Sequence, residues 1–512
     1  MSALPTLLAQ LRSIVGAANV LTHEDPNADL SAWEQDWRKR EHGRALAVVR
    51  PACTAEVAAV VKACVAAGTS IVPQGGNTGM VVGSTPDTSG TQVVLSLTRM
   101  NRVRALDGGN LTITVDAGCV LQNLQETCEQ AGFLFPLSLA SEGSCTIGGN
   151  LGSNAGGTQV VRYGNTRELC LGLEVVTAQG EVWDGLTGLR KDNTGYDLRH
   201  LFIGSEGTLG VITGATMKVY PLPKAQLTAF AALPSLEAAV ELLGLAHQHL
   251  SAGLTGFEVM GKFALSLVAK HFPQIKVPFQ SDVAPTLPTA LGSLPPEGAV
   301  PCLGRPSAAA ACPYFVLLEN SDQESETHAR ERFEHLLEAA LEAGCVLDAV
   351  VAESITQARA LWHIRESIPL AQAQEGLNIK HDISIAVSRI PAFVRQTDAL
   401  LQAAYPGARL VNYGHLGDGN LHYNVQAPAG ADAEAFLRDD EKGVNAIVYG
   451  QVDAYRGSIS AEHGIGSLKR DKLVQHKSPV ALGLMRAIKQ ALDPQGLMNP
   501  GKLLVPPPRP HP

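Results

Sequence analysis

The chain has 512 residues, 45% of them hydrophobic and 17% charged, with a formal net charge of −9. That length points to two or three domains around a substantial core, and an acidic balance without a long basic run argues against nucleic acid as the main partner. The nine cysteines are scattered, odd in number and never spaced as C-x-x-C. This excludes an iron–sulfur or structural zinc framework and reads as reduced thiols in a compartment such as the cytoplasm.

In chain order, residues 1–43 open with a short amphipathic helix and not with a signal peptide. No apolar run reaches the ~18 residues of a spanning helix; peripheral association with a membrane is left open. Residues 44–223 alternate helix and strand signals. Val57, Val60, Val61 and Cys64 follow helical spacing after Thr54, a candidate N-cap. Leu111, Ile113 and Val115 alternate with Thr112, Thr114 and Asp116, a strand period. Further strands are expected at 173–177 and 211–220. Pro221-Leu222-Pro223 reads as a linker.

Beyond it, strands at 229–233, 314–319 and 382–387 and helices at 236–249, 324–343 and 390–404 predict an antiparallel sheet with helices on one face. This second domain spans 224–457. Its segment 273–313, rich in Pro, Gly, Ala and Ser, reads as a surface excursion, with a lid or docking surface as the other reading. Residues 458–505 form a closing segment, and 506–512 read as a disordered tail.

Three glycine-rich loops stand out. The first is P-Q-G-G-N-T-G at 73–79, directly after an apolar strand. The second covers 136–157, and the third is G-S-E-G-T-L-G-V-I-T at 204–213. Successive N–H groups in such loops can cradle a phosphate. None is a Rossmann or Walker A fingerprint. A tight turn explains one such loop about as well; three in one domain suggest a large ligand along the backbone.

Two later motifs carry metal-ligand chemistry: Y-G-H-L-G-D-G-N-L-H at 413–422 and S-A-E-H-G-I-G at 460–466. His415, His422 and Glu462 supply a His₂-carboxylate set suited to Zn²⁺, with Mn²⁺ or Co²⁺ as alternatives, and with coordination positions left open for a substrate oxygen. The bland alternative is a histidine capping a turn and another in an ordinary strand. His463 is placed as a general base, or as a residue orienting Glu462.

The loops, together with the N-P-G-K ending at 499–502, resemble the vanillyl-alcohol-oxidase-type flavoproteins. The two later motifs resemble that family's branch of FAD-linked D-2-hydroxyacid dehydrogenases, which includes D-2-hydroxyglutarate and D-lactate dehydrogenases and the glycolate oxidase flavin subunit. The resemblance spans about residues 44–502. It implies an α+β fold with a two-part FAD-binding domain, a substrate domain built on an antiparallel sheet with covering helices, and a C-terminal segment returning to the flavin. It implies flavin contacts from Pro73, Gly75, Gly76, Asn77, Thr78 and Gly79, and from Ser138, Ser141, Glu142, Gly143, Thr146, Gly148, Gly149, Asn150, Ser153, Asn154 and Gly157. Further contacts are implied from Glu206, Gly207, Gly210, Val211, Ile212, Asn420 and Asn499. Some relatives attach flavin through a histidine in the first loop; Asn77 stands in that stretch, so FAD is expected to bind noncovalently.

The implied reaction is oxidation of a small anionic D-2-hydroxy acid to the 2-oxo acid, D-2-hydroxyglutarate first and D-lactate or D-malate next. Arg365 and Lys380 match the family's cationic carboxylate-binding positions, and Asn424 is a further contact or support. Pro369 departs from the pattern, since relatives acting on D-2-hydroxyglutarate tend to carry threonine there. The electron acceptor is expected to be an electron-transferring flavoprotein or a quinone, and a homodimer is common in the family. A metal-dependent hydrolase leaves the glycine loops without a role, and a flavin electron carrier leaves the metal set unexplained.

Overall fold

The computed structural model describes residues 3–26, 28–279 and 311–505, with the side chains of residues 3–5 left aside. Most of the expected 273–313 excursion and the whole 506–512 tail lie outside the described residues. The chain divides into two units. The first comprises 1–156, 164–222 and 462–512; the second comprises 157–163 and 223–461.

The first unit holds two sheets. One is four-stranded, in the order Val20–Leu21, Ala45–Val49, Gln92–Ser96, Ile71–Gln74, with its last three strands parallel. Gln92–Ser96 is buried along its whole length, as a central strand covered on both faces requires. The other sheet is antiparallel and five-stranded, in the order Val103–Asp107, Thr112–Asp116, Gly210–Lys218, Cys170–Thr177, Val182–Gly185. The C-terminal segment closes on the parallel sheet. Ile71 N–H donates to Leu497 O at 2.8 Å and Asn499 N–H donates to Ile71 O at 2.7 Å. Lys489 ties the same segment down, donating to Met498 O at 2.8 Å and Thr208 O at 2.6 Å.

The second unit is built on an eight-stranded sheet. Its order is Asp348–Val351, Ala225–Leu233, Tyr314–Asp322, Leu254–Gly261, Arg409–Gly414, Asn420–Gln426, Asn378–Ile379, and Asp382–Ser384 pairs aside with Asn420–Gln426. Every pairing is antiparallel.

Helices cover both faces of this sheet, and not one as the sequence suggested. Along Ala225–Leu233, residues Leu227, Ala229, Ala231 and Leu233 pack with Leu242, Phe333 and Leu336 of the helices Leu236–Leu250 and Glu326–Glu342. The alternate residues Phe230 and Ala232 pack with Leu265 and Val268 of Lys262–His271 and with Leu361, Ile364 and Ile368 of Ile355–Glu375. Period-two alternation puts these sets on opposite faces. The helix Ile355–Glu375 escaped the sequence reading because its buried side mixes Leu361, Ile364 and Ile368 with Arg365, Ser367 and Gln372. Pro369 lies inside it and cannot donate to the carbonyl of Arg365.

Two local expectations are corrected. Thr54 is the first helical residue and Cys53 holds the cap position; the Thr54 hydroxyl instead donates to Glu174 at 2.6 Å, a charged acceptor. The strand expected at 382–387 stops at Ser384, and a 3₁₀ turn at Val387–Arg389 leads into the helix Ile390–Ala404.

At the end of Ile355–Glu375, one carboxylate collects three nitrogen partners. Glu375 accepts from Lys270 and His271 at 2.6 Å each and from Arg409 at 2.5 Å. Burial raises its pKa, but the three partners outweigh that and hold it at about 2. A depressed pKa stabilises the fold above the unfolded value of about 4.3 and loses that contribution as pH falls toward the folded value. Glu375→Gln should therefore cost about 1–3 kcal/mol at pH 7. The difference from wild type should shrink in acid, below about pH 4. Urea midpoints measured across pH check this; a pH-independent difference would contradict it.

Candidate active site

One cavity lies within the first unit. The first loop contributes Pro73, Gly75, Gly76, Asn77, Thr78 and Gly79 to its wall. The second gives Thr146, Gly148, Gly149, Asn150 and Ser153, and the third Glu206, Gly207, Gly210, Val211 and Ile212; His463 completes the lining. The sequence missed Gln74, Val81, Gly83, Ser84, Leu97, Ala117, Cys145, Gly152 and Ser205, which also line it. Most of these adjoin residues that were read, and Leu97 and Ala117 carry no polar signal.

The glycines divide into two kinds. A Cβ on Gly75 would strike the Thr146 hydroxyl, and one on Gly76 would strike Ser144 O, so these two let the first loop press on the second. A Cβ on Gly79 or Gly152 would meet nothing within 4 Å. Those glycines leave open volume along the wall. Asn150 Nδ2 is buried there without a hydrogen-bond partner. A polar ligand lying along the loops would use both the volume and the donor, so the residues present fit FAD.

Several expected flavin contacts do other work. Asn77, at φ 54°, donates through Nδ2 to Ala32 O and Gln35 O and accepts from Ser84. Ser138, Ser141, Glu142, Gly143, Asn154 and Asn499 do not line the cavity. Ser141 O closes a turn by accepting from Ser144 and Cys145 N–H. Asn154 ends the helix Ile147–Ser153 at φ 54°. Asn499 Nδ2 bridges Gly83 O at 2.9 Å and Glu206 O at 2.7 Å. Gly157 and Asn420 fall in the second unit, where Asn420 donates to Asp382 and Ile383 O.

Glu206 is spent on the turn that carries His463. Its two carboxylate oxygens accept from Ile465 N–H at 2.7 Å and Gly466 N–H at 2.6 Å. Burial raises its pKa, with the two N–H donors pulling the other way. Gly464 and Gly466 both have positive φ, and a Cβ on Gly466 would strike Val81 O. The bend after Glu462-His463 therefore requires glycine.

In the second unit, Arg409–Gly414 and Asn420–Gln426 form a hairpin through the 3₁₀ turn Leu416–Asp418 and the left-handed Gly419. His415 leaves the first strand and His422 lies on the second, so the hairpin brings the rings together. Their centroids are 5.6 Å apart at 75°. His415 Nδ1 meets Glu258 Oε1 at 2.5 Å, and Arg365 Nε donates to Glu258 Oε2 at 2.7 Å. Burial would raise the pKa of Glu258, but the contacts with His415 and Arg365 outweigh it and hold the value at about 2. The guanidinium lies 4.8 Å from the Tyr413 ring centroid, a cation–π contact.

Lys380 is exposed between Asn378–Ile379 and Asp382–Ser384. Asn424 is buried with both ends of its amide engaged, accepting from His381 N–H and donating to Gln372. These bonds make it a brace between strand and helix, the supporting role of the two read for it. Glu462 follows Ala461, whose N–H donates to Asp382 O. Within the first unit, a Cβ on Gly156 would lie 2.8 Å from Glu462 Oε1.

Comparison with known proteins identifies the family. Residues 45–185 match the FAD binding domain family, and residues 222–503 match the C-terminal domain of FAD linked oxidases. The chain is 38% identical to D-2-hydroxyglutarate dehydrogenase, mitochondrial, of Bos taurus, over 97% of this chain and 83% of that protein. It is 36% identical to D-2-hydroxyglutarate dehydrogenase of Xanthomonas citri pv. viticola, over 96% of each chain. Among solved structures, p-cresol methylhydroxylase shares the fold with a TM-score of 0.68 at 16% identity, over 98% of this chain and 96% of that one. Alkyldihydroxyacetonephosphate synthase does so at 0.69 and 16%, over 97% and 84%. The chain belongs to the FAD-linked oxidase family, as an FAD-dependent dehydrogenase.

Proposed function

We propose that this chain oxidises D-2-hydroxyglutarate to the 2-oxo acid, with FAD and a divalent metal. The observation that carries the reading is His463 in the wall of the cavity formed by the three glycine loops. A general base in the flavin cavity suits a dehydrogenase better than a pure electron carrier. The names of the relatives support the substrate.

FAD supplies the hydride acceptor. His463 takes the hydroxyl proton on an imidazole nitrogen, and Glu206 holds the turn that aims it. Arg365, with Nε on Glu258, presents its terminal nitrogens to a carboxylate as a fork. Lys380 adds a second cation. His415, His422 and Glu462 would hold the metal, two imidazole nitrogens and a carboxylate oxygen suiting Zn²⁺ first and Mn²⁺ or Co²⁺ next. FAD is held noncovalently, since the first loop offers Asn77, whose side chain is bound by Ala32, Gln35 and Ser84.

A second reading, D-lactate or D-malate, draws on Pro369. It lies four residues from Arg365 on the same helix, hence on the same side, and has no donor to offer a second carboxylate. Electrons leave to an electron-transferring flavoprotein or a quinone. No helix among the described residues is long and apolar enough to cross a membrane. We place the enzyme in the cytoplasm, as a homodimer.

Three experiments test this. Chelation should abolish turnover while FAD stays bound, with Zn²⁺, Mn²⁺ or Co²⁺ restoring activity; acid precipitation should then release the flavin. Full activity in metal-free protein would remove the metal from the reaction. His463→Ala should keep FAD and metal yet slow flavin reduction by ~100-fold or more. Unchanged reduction with weakened metal binding would make His463 a support for Glu462.

A further inference from the structure

Glu258 occupies the middle of the strand Leu254–Gly261, between Phe257 and Val259, and is wholly buried. Phe257 and Val259 point to one face of the sheet. Glu258 therefore points to the other, where the helix Ile355–Glu375 packs. An uncompensated carboxylate in such a place costs several kcal/mol. This one has a partner for each oxygen, His415 on Oε1 and Arg365 on Oε2.

The two partners do different jobs. Accepting from His415 Nδ1–H fixes the tautomer whose lone pair is on Nε2, the nitrogen a cation would take. Accepting from Arg365 Nε–H fixes the plane of the guanidinium and so the direction of its fork. We propose that Glu258 is a positioning residue that serves a metal ligand and the substrate-gripping arginine at once, so that one carboxylate couples metal affinity to acid affinity. This rests on the reading that His415 holds the metal and Arg365 the acid.

The chemistry of the isosteric amide makes the inference sharp. In Glu258→Gln, one oxygen becomes an NH₂ donor. Facing Arg365 Nε–H it opposes donor to donor. Facing His415 it demands an acceptor at Nδ1, which moves the ring proton to Nε2 and removes the lone pair a metal needs. Neither orientation keeps both functions.

The test uses FAD-loaded protein and two separate affinities. Zn²⁺ affinity is measured by competition with a chelator. Affinity for 2-oxoglutarate, which flavin in its oxidised form does not oxidise further, is measured on metal-free protein from the perturbed flavin spectrum. Glu258→Gln should weaken Zn²⁺ by about 10–100-fold, or 2-oxoglutarate by about tenfold, or both, with FAD content unchanged. Glu258→Asp keeps the charge but is one methylene short, and should restore at most one of the two. Arg365→Gln serves if the Glu258 variants do not fold; it should shift the Zn²⁺ dissociation constant at least threefold, although Arg365 offers no ligand atom. Both affinities unchanged in Glu258→Gln, both restored in Glu258→Asp, or an unmoved Zn²⁺ affinity in Arg365→Gln would overturn the inference. Wild-type protein that takes up no Zn²⁺ would overturn the metal reading itself, a separate failure seen before any variant is made.

Discussion

The buried carboxylate of Glu206 is the constraint on which the flavin unit turns. It sits on the third glycine loop at φ 54°, and it accepts two backbone N–H groups from a turn more than 250 residues later in the chain. Its own carbonyl receives Asn499 from the N-P-G-K ending, and its N–H donates to Gly152 O of the second loop. One residue thus joins two of the loops, the closing segment and the turn bearing His463. Burial is costly for a carboxylate, and the paired N–H donors offset that cost. A flexible connection would leave His463 without a fixed place in the cavity wall, and the general-base role proposed for it depends on that place.

The second unit solves a similar problem with side chains. Glu258, Arg365 and His415 come from a strand, a helix and a hairpin end, and they meet on the sheet face that the long helix covers. Glu319 lies on that same face and accepts from Trp362 Nε1 at 3.0 Å and Thr255 Oγ1 at 3.0 Å. Burial raises its pKa. Two glutamates under one helix therefore have opposite tendencies. The one held by Arg365 and His415 stays ionised, and the one with only neutral donors is pushed toward its neutral form.

Much of this was legible in the sequence because it is written locally. The glycine loops, the alternation of Ile113 and Val115 with threonines, and the motif bearing His415 and His422 each depend on a few neighbouring residues. What was not legible depends on partners distant in sequence. Asn77 and Glu206 line the cavity, but the hydrogen bonds that Asn77, Glu206 and Asn499 make across tens to hundreds of residues have no local signal. Asn424 was read as a contact or a support, and only its distant partners His381 and Gln372 show it as a brace. Glu258 went unread, although a carboxylate between Phe257 and Val259 in an apolar strand demands a partner. The helix Ile355–Glu375 was hidden for the same reason, because polar residues on its inner side meet polar residues of the sheet. Periodicity alone does not show that kind of burial.

The measurement that bears most directly on the account is anaerobic reduction of the bound flavin by single 2-hydroxy acids. D-2-Hydroxyglutarate should bleach the oxidised flavin absorbance in metal-loaded protein, and its L-enantiomer should not. Bleaching by D-lactate or D-malate alone would move the substrate within the family, as Pro369 suggests. A flavin that no D-2-hydroxy acid reduces, in protein shown to hold both FAD and metal, would contradict the account.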